Sequence, residues 1–303
     1  SKAEIEYFLN DINVPSVSTC IQWMEEILDF MKDYHVKNKS WIHGFSDFPS
    51  NHLSLVGEDN CMDLYHGKLR AVDTHGKVIL DNIDYNDYLN YFSEDVKAWT
   101  YLKFPYLKQL GPQKGWNRVG PLSRLNVCEA LPTPRAQKRL EEYRRFTGQR
   151  INNMGLYYHW ARLIEMLHCA EYMQDLLEDD DLQNKDLIIK GTRRPEGVGV
   201  IEAPRGTLLH HYEVSDMDEI TRCNLIVSTT HNNEAMNRAV NIVAKRTLNN
   251  NSQVTEAMLN EIEVAIRAYD PCLSCATHAV GDMPLKVSLL DHKGKVLQEI
   301  TKT

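Results

Sequence analysis

Between residues 18 and 34 the apolar positions repeat at helical spacing. Ile21, Met24, Ile27, Leu28 and Met31 share one face, and Ser18 or Thr19 stands where an N-cap belongs. The period is lost over 38–60, where Gly44, Pro49 and Gly57 intervene, and that stretch reads as loop. Its histidine His52, like His43 and His66, lacks the partner spacing of a metal ligand. Strand-like runs at 69–72 and 77–80 flank the turn Asp73, Thr74, His75, Gly76, which predicts a β-hairpin over 66–81. Residues 84–107 are dense in aromatics, including Tyr88, Phe92, Trp99, Tyr101 and Phe104, with few basic residues between them. Such a set fits a core or a subunit interface better than a nucleic-acid platform.

Thr133 and Pro134 open a helix that runs to about Thr147, as cap and first-turn proline; its charges on most faces predict a solvated helix. A longer helix is predicted near 154–178, with Trp160, Leu163, Ile164 and Leu167 in its apolar stripe and His159 and His168 as polar core or surface residues. Residues 197–206 read as a short apolar strand and a turn. Two further strands fall at 207–214 and 220–227, and helices follow at 233–247 and about 255–268. A last hairpin pattern surrounds Asp291 to Gly294. The helical stripes dominate and the hairpins are short, so the expected fold class is α+β: a mainly helical body with small antiparallel sheets and hairpins, not a doubly wound sheet.

At 303 residues the chain can bury a substantial core. A hydrophobic fraction of 43% and a charged fraction of 25% describe an ordinary soluble globular protein. A net charge of −8 argues against nonspecific binding to nucleic acid or anionic membrane. No apolar run approaches the ~20 residues of a membrane span. The N-terminus lacks the basic start and apolar core of a signal peptide, and Ser1 suggests a fragment or a processed piece. Seven cysteines, odd in number and dispersed, fit a reducing compartment, so a cytoplasmic location is expected.

The chemistry concentrates in the stretch Asp270, Pro271, Cys272, Leu273, Ser274, Cys275, Ala276, Thr277, His278. Two thiols in a Cys-x-x-Cys spacing can aim both sulfurs at one soft metal, with a carboxylate just before and an imidazole just after. The pair alone is also compatible with half a zinc site, a redox dithiol or two ordinary cysteines. There is no second Cys-x-x-Cys to complete a structural zinc cage. A thioredoxin-like pair would lie early, between a strand and a helix, whereas this one follows a helix late in the chain.

The whole nonapeptide resembles the C-terminal nickel-binding signature of NiFe hydrogenase large subunits, Asp-Pro-Cys-x-x-Cys-x-x-His. Upstream, Glu202, Ala203, Pro204, Arg205 and Gly206 resemble the same family's Glu-Ala-Pro-Arg-Gly motif, and the two motifs stand in the family's order. The stretches 118–126 and 206–212 look most like the soluble, NAD-linked (bidirectional) branch. The resemblance covers nearly all of the chain but only the C-terminal portion of the family's large subunit.

By that resemblance, Cys272 is a terminal nickel ligand and Cys275 bridges nickel and iron in a NiFe(CN)2CO centre. Arg205 hangs over the open coordination position and is held by Asp270, the two forming the catalytic pair. Pro204, Arg205 and Thr229 line the pocket for the iron's cyanides, and His278 binds a magnesium ion. The resemblance implies reversible oxidation of H2, with iron–sulfur clusters in a hydrogenase small subunit, and flavin and NAD in diaphorase-type partners. No GxGxxG fingerprint for direct NAD binding occurs here.

Two departures qualify this. The family's N-terminal Arg-x-Cys-x-x-Cys-x-x-x-His motif and its magnesium-binding glutamate are absent, so the chain alone is expected to be inactive. Mature subunits of the family end at the equivalent of His278, whereas residues 279–303 follow it here. The expected organisation is therefore 1–278 as the large-subunit portion and 279–303 as an extension removed by an endopeptidase. The hairpin-like tail suits pairing with a sheet edge that would hold the Cys-x-x-Cys loop open. The alternatives are a non-catalytic relative or assembly intermediate that binds maturation proteins, and a zinc module built on Cys272, Cys275 and His278.

Overall fold

The computed structural model of the chain describes residues 2–184, 188–248, 253–277 and 285–302. After a short helix α1 (Lys2–Tyr7), the first long element is α2 (Val14–Lys37). It starts earlier than the apolar period implied, with Pro15 in its first turn, where the missing N–H has no helical partner to lose. Ser18 and Thr19 do not cap it. Both lie inside the helix, and their hydroxyls donate back to the carbonyls of Val14 and Pro15 at 3.0 Å.

The stretch expected to be loop contains helix α3 (Lys39–His43) and strand β1 (Asn51–Val56). From His52 to Val56 every residue of β1 is buried, so the strand has no in–out alternation for a sequence pattern to reveal. Strands β2 (Lys68–Val72) and β3 (Val78–Ile83) form the expected hairpin, and β2 pairs antiparallel with β1. The aromatic stretch divides between core and surface. Helix α4 (Tyr88–Tyr91) and strands β4 (Phe92–Val96) and β5 (Lys103–Leu107) bury Tyr88, Phe92 and Phe104, while Trp99 and Tyr101 are exposed. Beyond helix α5 (Gly111–Lys114), the short strand β6 (Asn117–Arg118) runs parallel to β1 and completes a sheet of order β3-β2-β1-β6.

Helix α6 (Pro121–Val127) is buried at all seven positions, Arg124 among them. Helix α7 (Pro134–Thr147) has the predicted bounds, but it is not a solvated helix: Ala136, Leu140 and Tyr143 are buried against helix α8 (Tyr157–Leu177). Its charges occupy the other faces. Thr133 does not supply the cap either. Its hydroxyl meets His168 Nδ1 at 2.9 Å, and the first-turn N–H groups of Arg135 and Ala136 donate instead to the Glu171 carboxylate of α8 at 2.9 and 2.8 Å. His168 is thus a partnered core histidine. Helix α2 lies along α8, with Ile21, Leu28 and His35 facing inward.

Strands β7 (Glu196–Ala203), β8 (Gly206–Val214) and β9 (Ile220–Ile226) form an antiparallel meander. Helices α9 (Ser228–His231), α10 (Asn233–Leu248), α11 (Glu256–Arg267) and α12 (Leu273–Thr277) follow. One buried cluster joins the helices around Leu140, Tyr157, Trp160 and Ile164. A second joins the sheets through Leu53, Leu55, Val119, Val200 and Leu209. The tail forms its expected hairpin, β10 (Leu285–Leu290) with β11 (Val296–Lys302). Among the described residues these two strands make a sheet of their own rather than extending an existing edge. The hairpin meets the body where Gln298 exchanges hydrogen bonds with the backbone of Val254.

Candidate metal centre

Three segments far apart in sequence meet at one surface: the β7–β8 turn, the start of α9, and the stretch between α11 and α12. In the turn, Ala203 pairs with Gly206, leaving Pro204 and Arg205 at the tip. Gly206 has φ +132°, and a Cβ there would stand 2.3 Å from Val119 Cγ2 and 2.7 Å from Gly120 N. A Cβ on Gly120 would lie 2.9 Å from the Arg205 carbonyl. Both positions therefore require glycine, and together they let the turn lie directly against the backbone that leads into α6.

From this tip the Arg205 guanidinium donates from Nε to the Asp270 carbonyl at 2.6 Å and lies 3.3 Å from its Oδ2. Asp270 adopts φ +49°. A residue before proline is ordinarily extended, so this left-handed conformer is a local strain of about 1–3 kcal/mol that the surroundings must hold. They hold it on two sides: Arg205 grips the Asp270 carbonyl, and the buried Tyr269 packs on Tyr158 with ring centroids 4.9 Å apart.

Thr229 and its neighbour lock the other two segments together. The Ser228 hydroxyl donates to the Gly206 carbonyl at 2.6 Å, and the Thr229 hydroxyl accepts from the Cys272 N–H at 3.1 Å. Cys272 is half-buried and Cys275 is exposed, with Ala276 N bonded to the Cys272 carbonyl at 3.1 Å as α12 begins. The Cys272 thiol is held below the ordinary thiol range, first by the Cys275 thiol and then by the Cys275 backbone N–H, with the charge of Arg205 adding to them. The Cys275 thiol is pushed up, first by Cys272. The two thiols are thus shifted in opposite directions by their contact, Cys272 toward the thiolate, which is the metal-binding form. Two soft sulfur donors beside a fixed guanidinium fit a soft transition metal and not magnesium or calcium.

The structure thus brings together Pro204, Arg205, Thr229, Asp270, Cys272 and Cys275 from the sequence reading. His278 lies outside the described residues. All seven cysteines are free. Sequence reasoning missed the layer beneath. Arg124 of α6, 2% exposed, donates to both Glu165 oxygens of α8 at 2.6 and 2.7 Å and to Glu202 Oε2 at 2.8 Å. It also donates to the carbonyls of Ala203 and Pro204 at 2.9 and 3.1 Å. Burial opposes its charge, but the two carboxylates outweigh that and hold the guanidinium protonated more firmly than in free arginine. Burial also raises the Glu202 carboxyl, with Arg124 and Thr207 pulling it back. Its oxygens accept from Arg124, from Thr207 Oγ1 at 2.6 Å and from Leu55 N at 3.0 Å, a pattern of donors that suits the carboxylate form. The signal in the sequence was a single charge set in each of two apolar runs, 119–128 and 197–204. Such charges are buried only when paired.

A second cluster, Glu196, His211 and Glu213, has ligand atoms within 4.8 Å of one another at the far end of β7 and β8. Each member is already engaged: His211 with Glu196 at 2.8 Å and Tyr88 at 3.1 Å, and Glu213 with Arg222 at 2.8 Å. A cleft of about 540 Å³ lined by Tyr88, Phe92, Lys103 and Arg222 lies on this side and includes neither thiol.

The site's two thiols, its guanidinium and its carboxylate stand in the fold of one known class. The profile of the nickel-dependent hydrogenases matches residues 49–278, and the chain belongs to that family. More narrowly, it is 49% identical over 303 residues to the NAD-reducing hydrogenase HoxS subunit beta of Cupriavidus necator, covering 99% of this chain and 62% of that one. Its fold matches a crystal structure of NAD+-reducing [NiFe]-hydrogenase in the H2-reduced state with a TM-score of 0.85 and 46% identity, over 92% of this chain and 60% of that one. A chain of the vhc F420-non-reducing hydrogenase of Methanococcus voltae is 39% identical over 285 residues, 93% of this chain and 58% of that one. The chain therefore spans about three-fifths of the length of the relatives it matches. Among the described residues no helix is long and apolar enough to cross a membrane.

Proposed function

We propose that this chain is the C-terminal part of the catalytic large subunit of a NAD-linked nickel–iron hydrogenase, in a form that precedes removal of residues 279–303. The observation that carries the reading is the contact between Arg205 and Asp270 beside the paired thiols Cys272 and Cys275, with Thr229 bonded to the Cys272 N–H. The family match ends at residue 278, which supports a boundary there.

In this reading Cys272 and Cys275 hold nickel and iron, and His278 holds magnesium. When bound, the metal centre supplies the place where dihydrogen is split and remade. Arg205, oriented by Asp270, presents a fixed positive donor over that place, able to polarise the substrate or to carry its proton. Pro204, Arg205 and Thr229 would hold the iron's anionic ligands. Iron–sulfur clusters in a hydrogenase small subunit and a flavin in diaphorase-type partners would supply the path for electrons to NAD.

The hairpin of β10 and β11 beyond the thiols favours a second reading: an assembly intermediate awaiting metal, held by maturation proteins and processed by an endopeptidase. The test is intact mass with nickel and iron content of the natively purified protein, together with H2-dependent NAD+ reduction. Mass ending at His278 with both metals bound supports the mature enzyme. Retention of 279–303 without nickel supports the intermediate. One tetrahedral zinc and no nickel would overturn both.

A further inference from the structure

Arg205 is only as well placed as the backbone that carries it, and that backbone hangs from one buried side chain. Arg124 uses both terminal nitrogens to bond the two carbonyls before Arg205, those of Ala203 and Pro204. It is not free to follow them if they move. Glu165 takes its Nε and Nη2 in a bidentate grip, and Glu202 takes Nη1. Glu202 is in turn fixed by Thr207 and by the Leu55 backbone of the central strand β1. The opposite half of the contact is tied to the same helix. Arg162, one turn before Glu165 on α8, donates to the carbonyl of Ala268 at 3.1 Å, two residues ahead of Asp270.

We propose that Arg124 is a positioning residue for the hydrogen-activating guanidinium. In concert with Glu165 and Arg162 it uses α8 as a rigid gauge that sets Arg205 at a fixed offset from Asp270 and the thiols. The inference rests on the hydrogenase reading above. Arg124 touches no reacting atom and acts through Arg205. Its forked geometry is needed because one guanidinium must serve two carboxylates and two carbonyls, which a lysine ammonium with three donors on a flexible stem cannot do.

The test uses the full, metal-loaded hydrogenase complex and compares Arg124→Lys, Arg205→Lys and the double variant. The expected result for Arg124→Lys is nickel and iron content equal to wild type with kcat down by about 100-fold, the scale of a catalytic group misplaced by an ångström. Its infrared bands from the diatomic ligands of the centre shift in the same direction as in Arg205→Lys. The double variant is no slower than Arg205→Lys alone, because the two residues act as one unit. If Arg124→Lys does not accumulate, Glu165→Gln, which keeps the side-chain shape, decides with the same bands and a loss of about 10-fold. Multiplying losses in the double variant, or unmoved bands with only a lowered Tm, would reduce Arg124 to a fold-supporting residue. A wild-type complex without such bands would instead sink the hydrogenase reading, and this inference with it.

Discussion

Single residues in this protein are placed by what surrounds them more than by their own preference. Asp270 takes a left-handed conformation before a proline because Arg205 holds its carbonyl. His52 shows the same dependence in the core. It is fully buried in β1, with Nδ1 3.0 Å from Ser123 Oγ and Nε2 3.1 Å from Asn153 Oδ1. Burial, and secondarily the charge of Arg118, lowers its pKa to about 3. Between pH 3 and 6.5 the unfolded chain then binds a proton that the native chain refuses, so stability is full above pH 6.5 and falls as the pH drops toward 3. Going from pH 7 to pH 5 costs roughly 2 kcal/mol from this one group. Urea unfolding across that range, compared with His52→Gln, should show a wild-type curve steeper by that amount. Parallel curves would mean that His52 takes up its proton as readily in the native chain as in the unfolded one.

Elements depend on one another in the same way. Helix α7 begins at Pro134 as its sequence directs, yet the N–H groups of its first turn are satisfied by Glu171 from α8. The β7–β8 turn reaches the thiols because Gly206 and Gly120 leave no Cβ between it and the strand–helix junction at 119–121. Gly206→Ala should therefore cost about 2–4 kcal/mol, since neither the φ nor the contact with Val119 can be kept. It should also separate Arg205 from Asp270. Denaturant titration measures the first, and a structure of the variant the second. A loss under about 0.5 kcal/mol would show that the turn is not packed as tightly as its geometry implies.

At the scale of the whole molecule, the tail stands apart from the machinery. Its two strands pair with each other, and a lone hairpin is marginal without a surface to lie on. Gln298 links it to the body at Val254, just before α11. Deleting residues 279–303 should lower Tm by no more than about 2 °C, the equivalent of roughly 1 kcal/mol in a chain of this size. Differential scanning calorimetry checks this. A larger fall would make the tail part of the core and contradict its reading as a removable extension.

The sequence by itself determined what depends on near neighbours. Helical periodicity and a proline located α7 and α11, alternation and a tight turn located β2 and β3, the Cys-x-x-Cys spacing marked Cys272 and Cys275, and the resemblance of two short motifs to the hydrogenase family joined Pro204, Arg205 and Asp270 to them. Tertiary structure decided what depends on distant partners. Strand β1 was invisible because both of its faces are buried and its pattern is erased. The capping of α7 came from another helix. Arg124 could not be read as part of the site, because its partners Glu165 and Glu202 lie 41 and 78 residues away and a charge shows its role only when the fold encloses it with them. Local order is written in steric and hydrophobic periodicity over a few residues. The choice among long-range pairings depends on which buried charges and carbonyls the finished core brings within hydrogen-bond reach.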